Sequence, residues 1–387
     1  MKRVALLLAL ASCKARRDLP PDDPEVPIVP IAPHDAAPAD APAAWPELAD
    51  FPHIEPTRVI ALPVRADAPR FEVGGPAISG DLAIVASSQF GFVAVDWRRG
   101  TIAWTKAAGA HVAPPLVTHG SIVLIGECLA PPAATDDLIG CLRLVTAGGA
   151  DQAYVAIHGK VPAFAASFGT QDVWPDGEGV RWRRGEAAVS IDLVTGLARS
   201  ASAAPPPLAV AYKGRHWDIT RTDTELVATG STPWHTRHPY SALLGSVWLP
   251  DQSPMIRVAR VGAFGGHAEL DILDIDATGS LHGQAAFPVP GQQLLGYGMS
   301  TIGDAAIAVR LDRSLRRDFI VGYAANALLM WVYPLPELTR VDPVGVAIAS
   351  EAVVVFHDGD TVTILPELSA PPTAPGAGRA PSQNPTP

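Results

Sequence analysis

The apolar positions of the chain come in short runs. Residues 81–86 (DLAIVA), 91–95 (GFVAV), 122–125 (IVLI) and 352–356 (AVVVF) are rich in Val, Ile, Ala and Leu, and Gly, Pro, Asp and Thr punctuate them. Runs of this length between turn residues predict strands. No long stretch combines a 3.6-residue apolar period with helix caps. The expected class is all-β, over one folded region of about residues 57–365.

Self-similarity then sets the architecture. Residues 90–104 (FGFVAVDWRRGTIAW) read as a strand, a turn from Asp96 to Gly100, and a strand ending in Trp104. Related stretches end their turns at Gly148, at Gly196 after Asp192, and at Gly279 after Asp276. These glycines are spaced by about 48, 48 and 83 residues, the last close to two periods. A degenerate copy at 319–331 places Asn326 at the glycine position, and Asn tolerates the left-handed conformation. The chemistry of the unit is direct. Asp or Thr oxygens satisfy backbone groups inside the turn, and Gly supplies positive φ at its exit. The following Trp offers a large apolar plate to a neighbouring sheet.

A period of about 40–48 residues matches one four-stranded propeller blade. The predicted fold is a β-propeller of seven four-stranded blades, with six or eight as the alternatives. The expected blades are about 76–107, 115–158, 161–201, 207–240, 243–289, 297–340 and 344–365. The last lacks a strand, which 58–64 (RVIALPV) supplies from the N-terminal side to close the ring. The region 205–245 shows no clear copy of the turn. The unit resembles the PQQ-like β-propeller repeat, whose hallmark is a strand, an Asp-x-x-Thr-Gly turn and a Trp on the next strand. That form is intact at 192–196 (DLVTG) and one residue shorter at 276–279 (DATG).

The N-terminus carries a different signal. Lys2 and Arg3 precede the apolar run 4–10 (VALLLAL), far short of the roughly 20 residues of a membrane-spanning helix. The run leads into 10–13 (LASC), which resembles the lipobox of bacterial lipoproteins. The resemblance implies a signal peptide over 1–12 and diacylglycerol on Cys13, and hence a lipid-anchored envelope protein. Lys rather than Asp at position 14 favours the outer over the inner membrane. Cys128 and Cys141 then remain, and in an exported chain such a pair is expected as a disulfide. Two strands joined by the loop between them would set the cysteines opposite each other. Closing a loop of that size contributes about 3 kcal/mol in the chain-entropy model. A reactive dithiol more often shows C-x-x-C spacing.

Composition adds the flanks. Proline totals 39 residues and crowds into 18–56. Such sequence builds no core and favours extended chain. Residues 13–56 are therefore expected as a disordered spacer, with a reach on the order of 100 Å at about 3.1 Å per residue. The tail 366–387 has the same character. A net charge of −10 gives no electrostatic footprint for nucleic acid.

Chemical motifs are sparse. G-x-x-x-x-G-K-[ST], G-x-S-x-G, H-E-x-x-H and paired C-x-x-C are missing. The chain also lacks the vicinal cysteines of the quinone-dependent dehydrogenases that share the repeat, so no cofactor is expected. Trp234, His235, Arg237, His238 and Tyr240 form a candidate binding loop, because Trp, Tyr and Arg dominate interface hot spots. His235 and His238 lack a third metal ligand. Asp271, Asp274 and Asp276 depart from EF-hand spacing, and no metal is expected. The layout resembles outer-membrane assembly lipoproteins that join a lipobox to PQQ-like repeats and bind other proteins. The expectation is a non-catalytic scaffold, anchored through Cys13, for an envelope protein or glycan. The alternative is a propeller hydrolase or lyase with its site at the central funnel.

Overall fold

A computed structural model describes residues 52–64, 73–109, 111–118, 120–129, 137–167, 170–222, 224–237, 240–247, 254–264, 267–288, 293–312, 317–325, 329–336 and 344–368. The chain is a seven-bladed β-propeller. Each blade is a four-stranded antiparallel sheet, and in six blades the strands follow one another in sequence.

Strand β1 (Arg58–Ala61) comes first in sequence. The first blade is β2 (Val73–Ser79), β3 (Leu82–Ser87), β4 (Gly91–Asp96) and β5 (Thr101–Lys106). The second is β6 (Leu116–Thr118), β7 (Ser121–Gly126), β8 (Leu138–Val145) and β9 (Asp151–His158). A single helical turn, α1 (Pro162–Ala165), leads to the third: β10 (Gln171–Asp176), β11 (Gly179–Arg184), β12 (Ala187–Ile191) and β13 (Ala198–Ala201). The fourth is β14 (Leu208–Tyr212), β15 (Arg215–Arg221), β16 (Leu226–Gly230) and β17 (Trp234–Thr236). The fifth is β18 (Ala242–Val247), β19 (Met255–Phe264), β20 (His267–Asp276) and β21 (Leu281–Pro288). The sixth is β22 (Gln293–Met299), β23 (Ala305–Asp312), β24 (Arg317–Tyr323) and β25 (Leu329–Pro334). The seventh has β26 (Gly345–Ile348), β27 (Ala352–His357) and β28 (Thr361–Pro366), and β1 completes it.

The ring thus closes through its N-terminal strand, as the sequence predicts. Arg58 pairs with Ile364 and Ala61 with Thr361. The Thr57 amide and hydroxyl both donate to the Ile364 carbonyl, at 2.8 and 3.0 Å. Just upstream, the Val332 amide of β25 donates to the Pro52 carbonyl at 2.8 Å. Residues 52–62 therefore run from the edge of blade 6 onto blade 7.

Most second and third strands are apolar on both faces, because each lies between two neighbouring blades. In β3 and β27, for example, nearly every side chain is buried. Apolar clusters join blades 1 and 2 (Ile84, Phe92, Leu124), 2 and 3 (Ile125, Leu142, Trp182), and 4 and 5 (Trp217, Ile219, Val258). Others join blades 5 and 6 (Leu270, Ile307, Val321), 6 and 7 (Ile320, Val353, Leu365), and 7 and 1 (Phe356, Val85, Trp97). Fully burying one such side chain contributes about 1.5–3 kcal/mol.

Candidate functional site

The repeated turns join the third strand of a blade to the fourth. In the third blade Asp192 Oδ1 accepts from the Val194 amide (3.0 Å), the Thr195 amide (2.7 Å) and the Thr195 hydroxyl (2.9 Å). The Thr195 amide leads these donors in holding the Asp192 carboxyl below its ordinary range. Asp276 repeats the arrangement with Thr278 and Ser280, and adds His282 Nε2 at 2.6 Å. Asp96 accepts from the Arg99 amide at 2.8 Å. Gly100, Gly196 and Gly279 have φ of 70°, 70° and 85°. In the second blade the left-handed residue is Gly149 rather than Gly148, with φ of 80°. Its amide donates to the carbonyl of Thr146, whose hydroxyl oxygen accepts from the Ala150 amide. Asn326 lies outside the described residues.

These turns build the ring. Trp104, on the outer strand of blade 1, lies under the blade 2 turn, and its Nε1 donates to the Ala147 carbonyl at 3.0 Å. A Cβ on Gly149 would stand 2.7 Å from the indole of Trp104. Trp234 packs against Gly279 of the next blade in the same way, 3.1 Å from such a Cβ. Arg58 lies against Gly100, and the Ala156 carbonyl against Gly196. Glycine serves both the left-handed turn and the close approach of the preceding blade.

The structure separates the members of the candidate loop. Trp234 and Tyr240 are buried in the cluster between blades 4 and 5. His235 and Arg237 are exposed, and His238 lies outside the described residues. The aromatics that suggested recognition are core. The three aspartates are also engaged. Asp271 accepts from Arg260 (2.6 Å), Asp274 is bidentate with Arg257 (2.8 and 2.8 Å), and Asp276 holds its turn.

What the structure does bring together is a recess of about 530 Å³ over blades 2 and 3. His111, Glu127, Leu129, Leu138, Ile139 and Arg184 line it, with Cys128 in its wall. His111 comes from the connector after β5, Glu127 to Leu129 from the end of β7 onward, Leu138 and Ile139 from the start of β8, and Arg184 from the end of β11. The recess therefore opens on the face that carries the inter-blade connectors and the second-to-third-strand turns. Two features fix its wall. The Cys128–Cys141 disulfide pinches the β7–β8 loop at its base. The Arg184 guanidinium lies over the rings of Trp182 (4.8 Å) and Phe164 (5.2 Å), which meet edge to face. Trp182 is held in turn, its Nε1 donating to Gln171 Oε1 at 2.8 Å. The backbone is tied too, with the Glu127 amide donating to the His111 carbonyl at 2.7 Å.

The recess carries charges of both signs beside an apolar wall, a composition suited to holding a polar group with an apolar attachment. Sequence reasoning paired the cysteines but did not find these residues, which meet only when connector, loop and strand converge. The central channel differs. Of the seven inner strands only β10 carries carboxylates, Asp172 and Asp176, and both are paired with arginines of β11. No His, Asp and Glu set converges there among the described residues.

No protein-family model and no curated protein matches the chain. Solved structures similar to it include virginiamycin B lyase from Staphylococcus aureus, 12% identical, with 80% of this chain and 98% of that chain covered and a TM-score of 0.46. A chain of the mitotic checkpoint complex is 14% identical over 86% of this chain and 98% of that chain, with a TM-score of 0.47. BamB from Moraxella catarrhalis is 12% identical over 80% and 97%, with a TM-score of 0.41. At these levels the likenesses say nothing of what the chain binds or catalyses.

Proposed function

We propose that the chain is a lipid-anchored protein of a bacterial envelope whose propeller is a non-catalytic scaffold for a protein partner. In this reading 1–12 is a signal peptide, Cys13 carries the lipid, and the Pro-rich stretch from 13 spaces the ring from the outer membrane. The LASC sequence before Lys14 supports the anchor. Among the described residues no helix is long and apolar enough to cross a membrane. The observation that carries the scaffold reading is the recess over blades 2 and 3. Its walls are fixed before any ligand arrives, which lowers the ordering cost of binding. Arg184, Glu127, His111 and three aliphatic side chains line it.

The test pairs fractionation with pull-down from detergent-solubilised envelope. Cys13→Ser is expected to leave the membrane fraction. Arg184→Glu with Leu129→Asp is expected to stay anchored and lose the partner captured by the wild type. Membrane retention of Cys13→Ser refutes the anchor. A partner retained by the Arg184→Glu, Leu129→Asp chain refutes the recess as the binding site.

A further inference from the structure

One junction of the ring is unlike the others. Apolar clusters fill six of the seven junctions between neighbouring blades, and among the described residues none joins blades 3 and 4. The cause lies in the strands themselves. β3 (LAIVAS) and β27 (AVVVFH) are apolar on both faces. β11 (GVRWRR) and β15 (RHWDITR) alternate instead. Val180 and Trp182 point into the cluster with blade 2, so Arg181 and Arg183 point towards blade 4. Trp217 and Ile219 point into the cluster with blade 5, so His216 and Asp218 point towards blade 3.

Each blade satisfies its charges within its own face. Arg181 pairs with Asp176 at 3.1 Å, Arg183 with Asp172, and His216 with Asp218 at 2.9 Å. The Arg183 guanidinium also lies 5.4 Å over the ring of Trp174. These side chains are wet. Arg181 and Arg183 are 20% and 29% exposed, and His216 and Asp218 are 54% and 45%. In the arginine–aspartate pairs within blades 5 and 6, by contrast, no partner exceeds 17%. Ala209 and Ala211 are exposed although they sit on an innermost strand. Among neighbouring inner strands, β10 and β14 approach each other least.

Blades 4, 5, 6, 7, 1, 2 and 3 thus form one continuous apolar stack, with its two polar ends meeting at this seam. The strand exchange that closes blade 7 lies in the middle of the stack, not at its ends. Parting an apolar junction exposes its core to water. Parting this one exposes side chains that are hydrated and paired already. We propose that the seam between blades 3 and 4 is a hydrated joint at which the ring parts and recloses, hinged on the connector 202–207, giving water and small polar solutes lateral entry to the axial channel.

The test is a pair of spin-label distance measurements on the full chain carrying Cys13→Ser. One pair, Arg199→Cys with Thr229→Cys, spans the seam at exposed positions. The control, Thr105→Cys with Gln152→Cys, spans the apolar junction of blades 1 and 2 at exposed positions. The seam pair is expected to give a distance distribution about twofold wider than the control, as slow collective motion would. Radical footprinting of the unlabelled chain reads the same joint, with Trp174 expected to oxidise several-fold faster than the buried Trp182 and Trp217. A seam distribution as narrow as the control overturns the joint, whatever Trp174 shows.

Discussion

Arg257 is the most consequential single charge in the core. Its side chain is fully buried on β19, facing blade 6. Nε and one terminal nitrogen grip Asp274 at 2.8 Å each. The remaining donors cross to blade 6, reaching the Gly303 carbonyl, the Ala324 carbonyl at 3.4 Å and the Ala325 carbonyl at 2.6 Å. One guanidinium therefore satisfies a carboxylate and two turns of the next blade. Arg257→Met keeps much of the volume and removes every donor. It leaves the Asp274 carboxylate, 9% exposed, without this partner. Breaking a buried pair from one side costs about 3–5 kcal/mol. For a chain of this size that lowers the melting temperature on the order of 10 °C. Thermal and urea unfolding of four chains measures it: wild type, Arg257→Met, Asp274→Leu and the double variant. The double variant should recover part of the loss, with a coupling of about 2 kcal/mol or more, because no orphan charge remains. Recovery stays partial because the three carbonyls still lack donors. Arg98 provides the contrast. It bridges Asp81 and Glu351 on the surface, where all three are at least 41% exposed, and Arg98→Met should leave the midpoint unmoved. If Arg257→Met loses no more than Arg98→Met, the reasoning from burial fails.

Three further outcomes follow from the same geometry. Burial tends to raise the Asp276 carboxyl, but the hydroxyl and amide of Thr278, with His282 and the Ser280 amide, leave it below its ordinary value of 3.8. A depressed carboxyl stabilises above its unfolded value and loses that stabilisation as pH falls through its folded value, so urea midpoints of wild type and Asp276→Asn should differ at pH 6 and converge as pH falls below 3.8. His357 is buried against Thr363, and burial outweighs Asp358 and Asp360 to hold it below its ordinary 6.5. The folded chain then binds fewer protons than the unfolded one, so stability should fall as pH drops below 6.5, and His357→Gln should flatten that slope between pH 7.5 and 5. Replacing Cys128 and Cys141 by Ser should cost about 3 kcal/mol in urea unfolding and loosen the recess, read as faster proteolysis of the β7–β8 loop.

The architecture was legible because turn chemistry repeats. Asp or Thr before a left-handed Gly, at nearly constant spacing, yielded seven blades and the strand exchange that closes the seventh. The fourth blade hid its copy, because its turn carries no acid. Yet Gly230 and Trp234 stand four residues apart, as Gly100 and Trp104 do. Trp234 fills the role of the repeat tryptophan, and its neighbours His235 and Arg237 made it look like a recognition loop. The Gly148-Gly149 doublet allowed two positions for one left-handed residue, and only the backbone selects between them. The recess was not legible, since no periodicity links His111, Glu127 and Arg184. The polar seam was written in the alternation of β11 and β15, but alternation alone cannot say which blade stands opposite.

Ring order relates these features to one another. The chain passes from Pro52 on blade 6 to β1 on blade 7, and Leu368 packs into the cluster between the same two blades. Residues 52 and 368 therefore both lie at blades 6 and 7. Counting around seven blades, that junction lies nearly opposite blade 3. Both the recess and the seam involve blade 3, as far from residues 52 and 368 as the ring allows. The division of its two faces explains how one blade serves both. Val180, Trp182 and Val189 bind it to blade 2 and seat Arg184 at the recess. Arg181 and Arg183, one residue along, are thereby committed to the other side. Replacing them with apolar residues would cement the seam without disturbing the indole beneath Arg184, so scaffold and joint can be altered independently.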